Sequence, residues 1–286
     1  MSEALRIRSG PFGRVALLDM DRSLVRHAHP HCHVLLKVEG ADTRFEVGDR
    51  IAHLTDEGAV LVNAWEPHAY VHQPGAPRTV ILALYIEPAW LSAFRNNWHA
   101  SGNAGFFRTS NGDTTAEIRV QAHQLAESMV HTPTALAEHE AMLAKLMISM
   151  IERFSEWRTV QPSSTRLAAS GDIDFRIGKA MHLMQSRPGL TDRMEDIARA
   201  SGMSRANFFR LFERETGITP RMYLNVVRLE QAVDAAVGTD APFANMADDL
   251  GFSSPGHFTR FFAGHAGVPP SRFRQVSRLA GSELLD

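Results

Sequence analysis

Residues 197–275 contain a duplicated unit, and a duplication of this kind leaves few folds open. One copy carries Ile197-Ala198, Gly202-Met203-Ser204, Phe208-Phe209-Arg210-Leu211-Phe212 and Gly217-Ile218-Thr219-Pro220. The other carries Met246-Ala247, Gly251-Phe252-Ser253, Phe258-Thr259-Arg260-Phe261-Phe262 and Gly267-Val268-Pro269-Pro270. The offset is 49 residues at Gly202/Gly251 and 50 from Arg210/Arg260, a one-residue insertion at the start of the second copy's last helix. Repetition at a fixed period marks a supersecondary unit used twice. Within each copy, small apolar residues end a first helix and a glycine permits a turn that side chains resist. A serine then caps a second helix with inward phenylalanines. Asp192, three residues before Glu195, has the spacing of a capping box.

Helix, glycine turn, capped helix is helix-turn-helix geometry, in which the second helix offers its first two turns to a DNA major groove. That exposes Arg205, Ala206, Asn207, Arg210 and Arg214 in the first unit, and Ser254, Pro255, Gly256, His257 and Arg260 in the second. Arginine reads guanine bidentately and asparagine reads adenine, so Arg205 and Asn207 are the candidate reading heads. Arg210 and Arg260 fit a phosphate contact or an internal ion pair as well as a base contact. A helix from Thr219-Pro220 to about Val237 would span ~27 Å at ~1.5 Å per residue. It could set two recognition helices about one DNA turn, ~34 Å, apart. The net charge of −2 argues against a non-specific polyanion binder. Locally, Arg199–Arg228 has six arginines against two glutamates, and Ser254–Arg278 has four arginines and no acid. These islands are either DNA-facing or simply solvated helix faces.

The last hundred residues resemble the DNA-binding domain of the AraC/XylS family of bacterial transcription regulators. The resemblance covers roughly Phe175 to Arg274 and rests on G-F-S-S-P-G-H-F-T-R-F-F, on G-V-P-P-S-R-F-R, and on the first unit with Arg228-Leu229-Glu230-Gln231-Ala232. It implies a seven-helix domain that binds direct-repeat half-sites on double-stranded DNA near promoters, with RNA polymerase as a further partner. By family position Arg205, Asn207 and Arg210 lie on the first recognition helix, and Pro255, Gly256, His257 and Arg260 on the second. Pro255 and Gly256 offer no bidentate donor, which shifts the second helix toward phosphate and shape contacts.

Ahead of this region the pattern differs. Arg14–Leu18, His31–Val38, Thr43–Val47, Gly58–Val62 and Thr79–Ile86 read as short strands separated by turn residues, as in a sandwich or small barrel. Ala89–Asp113 has mixed character. Apolar stripes Ile118/Ala122/Leu125/Met129 and Leu143/Met147/Met150/Phe154 have helical period and flank a Pro133 turn. They serve either as core or as a homodimer interface. Thr159–Gly171 (TVQPSSTRLAASG) has linker composition. The expected division is 1–158 sensing and dimerisation, 159–171 linker, 172–279 DNA binding. Val80–Ile86, the longest apolar run, is far short of a membrane span. With one cysteine, Cys32, and no secretory segment, the chain reads as soluble and cytoplasmic.

His27, His29, His31 and His33 alternate, and on a strand they would share one face, with His68 and His72 across from them. Converging imidazoles could bind a transition metal, line a polar ligand pocket, or have no role. The stretch His27–Tyr70, with Asn63-Ala64-Trp65-Glu66-Pro67-His68-Ala69-Tyr70, resembles a cupin-like sensor domain. That resemblance implies a small-molecule effector pocket including His29, His31, Trp65, His68 and Tyr70. It aligns His29, His31 and His68 with a cupin divalent-metal triad, while Lys37 stands near the place of the expected acidic ligand and Glu39 comes late. The fold expected is therefore α+β with two domains: a cupin-like β-barrel with a helical appendage and an all-α double helix-turn-helix domain. The function expected is effector-responsive DNA-binding regulation rather than catalysis. The alternative, a metal-dependent cupin enzyme fused to helices, leaves the duplicated basic units without a purpose.

Overall fold

The computed structural model describes residues 2–155, 173–190 and 193–278. The linker assignment at 159–171 and Asp192 of the capping box lie outside these residues.

Among the described residues nine strands form two antiparallel sheets: β1 (Glu3–Gly10), β2 (Gly13–Met20), β3 (Cys32–Gly40), β4 (Thr43–Val47), β5 (Arg50–Leu54), β6 (Gly58–Val62), β7 (His68–Val71), β8 (Thr79–Ile86) and β9 (Asn111–Asp113). The larger sheet runs β1-β2-β8-β3-β6-β9 and the smaller β5-β4-β7. The expected cupin-like barrel is therefore incorrect. Strand β9 pairs with β6 and occupies the edge that β5 would need for closure, so the ladder stays open. The larger sheet is buried on both faces, which is why Val80–Ile86 reads as an unbroken apolar run. Leu82, Leu84 and Ile86 join Cys32, Val34 and Leu36 beneath the helical layer. Ile81, Ala83 and Tyr85 face the other way with Leu35, Phe45 and Tyr70.

Helix α1 (Pro88–Phe94) and a 3-10 segment at Asn96–Gly102 lead to α2 (Ala116–His131) and α3 (Leu136–Phe154). Thr115 caps α2 by accepting the Ile118 N–H at 3.2 Å. Both apolar stripes pack into the core under these helices, with Ile118, Leu125, Met129, Leu143, Met147 and Met150 all buried. They are core, and the outer faces keep only Val120 and Leu136 as exposed large apolar side chains.

Among the described residues seven α-helices follow: α4 (Phe175–Ser186), α5 (Met194–Ala200), α6 (Arg205–Thr216), α7 (Pro220–Gly238), α8 (Phe243–Asp249), α9 (Pro255–Ala266) and α10 (Pro270–Arg278). Ser204, Thr219 and Ser254 accept backbone N–H groups at the starts of α6, α7 and α9. Gly202, Gly217, Gly251 and Gly267 all have positive φ, ending each helix where the sequence placed a glycine. Helix α10 packs along β1, with the Arg272 guanidinium 2.6 Å from Glu3. Gly264 of α9 accepts a hydrogen bond from the Val25 N–H at 3.1 Å.

Candidate nucleic-acid interface and histidine centre

The two capped helices α6 and α9 present their first turns outward, and the contacts with the sheets leave those turns open. Arg205, Ala206 and Arg210 are exposed on α6, with Asn207 half-buried. Two ion-pair or hydrogen-bond contacts hold this surface. Arg205 Nε lies 2.6 Å from Glu195 Oε1 of α5, and its guanidinium sits 5.4 Å over the Phe209 ring. Arg210 donates to Asn207 Oδ1 at 2.8 Å. Arg214 lies in the last turn of α6 and pairs with its neighbour Glu215 at 2.6 Å. On α9, Ser254, Pro255, Gly256, His257 and Arg260 are exposed. His257 exchanges a hydrogen bond with Ser253 at 3.2 Å and sets its ring edge-on to Phe252. Phe208, Phe212, Phe258 and Phe262 are fully buried, so these rings are core and not stacking platforms for bases. Glu195 was not legible as a partner of Arg205 because the contact crosses the glycine turn.

The histidines converge, but not along one strand. Pro30 has no N–H for a ladder, and β3 starts only at Cys32. His27 instead bridges to His68 through paired backbone hydrogen bonds of 2.9 and 2.8 Å, and the His29 carbonyl accepts the Trp65 N–H at 2.8 Å. The side chains of His27, His29 and His68 come together in the interior, with one ring nitrogen of each lying within 4.8 Å of the others. Burial holds His27, His29 and His33 well below the ordinary imidazole range and brings His68 down to about 4. All four rings are therefore neutral near pH 7. His29 and His33 share a 2.9 Å hydrogen bond, and His33 stacks on Tyr85 at 4.0 Å.

His31 departs from the expected triad: its Nε2 lies 2.7 Å from Glu87, and this pair lowers the Glu87 carboxyl. His27 takes its place. The donor set fits a transition metal through His27, His29 and His68, not through His31. The five residues expected to line one effector pocket also separate. His29, His68 and Tyr70 lie in the interior, and Tyr70 packs on Phe45. Trp65 lies outside it in the left-handed region at φ 63°, stacked on Tyr223 of α7 at 5.4 Å and 16° between planes. It borders a cleft of about 760 Å³ that runs from Gly48 and Asn63 to Thr216 and Gly217.

Residues 197–276 match the helix-turn-helix domain family and residues 16–147 the AraC-like ligand binding domain family. Over these two regions the chain is similar to AraC/XylS-type helix-turn-helix transcriptional regulators. The N-terminal match, like the open sheets, replaces the cupin assignment. The chain is 28 % identical over 155 residues to the HTH-type transcriptional regulator ExsA of Pseudomonas aeruginosa, covering 53 % of this chain and 52 % of that one. It is 22 % identical over 263 residues to the HTH-type transcriptional activator RhaR of Yersinia pestis, covering 88 % and 85 %. Several matches are partial, and the chain spans 34 % to 52 % of the length of three such relatives. An apo structure of ToxT from Vibrio cholerae superposes with a TM-score of 0.56 at 14 % identity, covering 95 % of this chain and 99 % of that one. That likeness concerns the fold.

Proposed function

We propose that the protein regulates transcription by reading two successive major-groove segments with α6 and α9, under the control of a small molecule or ion held by the sheet domain. The observation that carries this reading is the pair of outward first turns, each serine-capped, on two copies of one unit. Arg205 and Asn207 read bases on α6, while Ala206, Arg210 and Arg214 support that face. On α9, His257 and Arg260 supply the polar contacts, and Ser254, Pro255 and Gly256 allow close approach of the backbone to phosphate. The effector residues His29, His68 and Tyr70 belong to the sheet interior, while His31 and Trp65 act at its margins. Self-association would use the outer faces of α2 and α3, where Val120 and Leu136 are exposed. Contact with RNA polymerase and a cytoplasmic setting complete the reading. Among the described residues no helix is long and apolar enough to cross a membrane. The division at 158, 171 and 279 is likewise part of this proposal.

The experiment is selection of genomic fragments by the purified chain at stated salt, since phosphate contacts make affinity ionic-strength dependent. Recovered sites should carry two conserved segments about one helical turn, ~34 Å, apart. Uniform recovery of all fragments would overturn sequence-specific reading.

A further inference from the structure

We infer that His27, His29 and His68 form a transition-metal site that fixes how both recognition helices sit on the sheet domain. The inference deepens the reading above, because it names a metal ion as a ligand of the effector-responsive half.

The chemistry begins with the tautomers. The Nδ1 atoms of His27, His29 and His68 lie 2.8, 3.1 and 2.9 Å from the carbonyls of Val25, His31 and Glu66. A carbonyl can only accept, so each Nδ1 carries the proton and each Nε2 keeps a lone pair. Backbone carbonyls fixing the outer nitrogen of an imidazole are the usual support of a histidine metal ligand. The ring centroids are 4.4 Å apart for His27 and His68, and 4.8 Å for His29 and His68. His68 Nε2 is buried with no hydrogen-bond partner. A buried acceptor facing other neutral acceptors is costly to leave unpaired, and a cation bound to all three removes that cost.

Three imidazoles with no carboxylate select a borderline transition metal such as Zn²⁺, Co²⁺ or Ni²⁺ over Mg²⁺ or Ca²⁺. Tetrahedral zinc with bonds of ~2.1 Å needs its nitrogens ~3.4 Å apart, so binding must draw together ligand atoms that lie within 4.8 Å of one another. It also requires His29 Nε2 to release the His33 hydrogen bond. Three neutral ligands leave a fourth position for an exchangeable water or anion, as in open zinc sites. Access runs through a cavity of about 230 Å³ between the sheets and the helices, lined by His27, Arg26, Thr219, Asn225, Leu229 and His265.

The ligand loop touches both helix-turn-helix units. The His29 carbonyl holds the Trp65 N–H, Trp65 stacks on Tyr223, and Tyr223 packs edge-on to Phe212 of α6 at 5.5 Å. Val25, whose carbonyl orients His27, donates its own N–H to Gly264 of α9. A metal that draws His27 and His29 together therefore acts on one contact to each recognition helix.

The test uses the full chain without a polyhistidine tag, stripped with chelator and titrated with Co²⁺ and then Zn²⁺. One Co²⁺ per chain should bind with visible ligand-field bands and be displaced by Zn²⁺. X-ray absorption of the zinc-loaded wild-type chain should show imidazole nitrogens at ~2.0–2.1 Å, a readout that needs no variant. His68→Ala and His29→Ala should weaken Co²⁺ binding by well over tenfold, taking ~10-fold as the lower end of what loss of mere support costs. His123→Ala, on the exposed face of α2, should not change it. Absence of stoichiometric uptake, or a zinc shell without imidazole, would overturn the site. Stoichiometric zinc that leaves affinity for the selected DNA unchanged would overturn its control of the helices while leaving the DNA-reading proposal standing. Zinc uptake by a chain that selects no DNA would overturn that proposal and leave the metal site.

Discussion

Gly202 and Gly251 occupy equivalent turns, at φ 73° and 75°, yet the two positions differ in what surrounds them. A Cβ on Gly202 would meet nothing within 4 Å, so Gly202→Ala costs only the left-handed backbone, ~1–2 kcal/mol. A Cβ on Gly251 would lie 2.5 Å from the Gly189 carbonyl oxygen and 2.8 Å from its Cα, both backbone. Gly251→Ala should therefore destabilise the chain by several kcal/mol, ~4 or more in the range reserved for strained and overpacked sites. Urea unfolding of the two variants checks this, and equal losses would remove the backbone crossing as the cause. Cys32 gives a pH-dependent counterpart. Burial pushes its thiol up to about 12, against ~8.5 in an unfolded chain. A raised folded pKa gives stability that is fully present below the unfolded value and is lost as pH rises toward the folded one. Between about pH 9 and 12 the urea midpoint should fall more steeply for the wild type than for Cys32→Ala. Parallel slopes would show that the thiol does not contribute.

At the scale of elements, the residues proposed as reading heads on α6 are already engaged within the chain, Arg205 with Glu195 and Asn207 with Arg210. The Arg205–Glu195 pair is exposed, with side chains 65 % and 49 % accessible, and such pairs contribute ~1 kcal/mol or less. A bidentate contact to guanine discriminates by ~1–3 kcal/mol, enough to exchange one partner for the other. Arg205→Ala should lose ~1–3 kcal/mol of discrimination at one base pair of the selected site, measured by competition between correct and altered sequences. Equal weakening on every sequence would make Arg205 a phosphate contact instead. These helices were legible because their boundaries are chemical: Ser204, Thr219 and Ser254 cap, and four glycines stop them. The sheet elements were less so. A bulge between Ala4 and Arg6 breaks the period-two alternation of β1, hiding a strand among charged residues. Strand β7 has four residues and β9 three, too short for a pattern. The histidine cluster was visible as composition, but its membership depended on where Pro30 stops the ladder and on Glu87 capturing His31 across 56 residues. Neither follows from spacing.

At the scale of the molecule, the two helix-turn-helix units are supported unequally. The first has its own core: Ile177, Met184, Ile197, Phe208, Phe212 and Tyr223 cluster within α4–α7, and among the described residues Trp65 is the sheet-domain apolar side chain packed against them. The core of the second unit is continuous with the sheet domain. Phe258, Phe262, Val268, Phe273 and Val276 belong to the same buried cluster as Ala4, Ile7, Leu18 and Met20. Removing the sheets would expose the apolar surface of α10 and α9 to water at ~25 cal/mol per Å² while leaving the first unit almost intact. A fragment of residues 173–286 should therefore keep amide protection in α4–α6 close to that of the full chain and lose it in α8–α10, as measured by hydrogen exchange. Equal protection in both units would mean that the second core stands alone. That outcome would leave any ligand signal from the sheets to individual contacts such as those of Trp65, Val25 and Arg272. The expected asymmetry instead makes α9 the helix whose placement depends on the sheet domain, so a ligand that reshapes the sheet interior shifts α9 before α6.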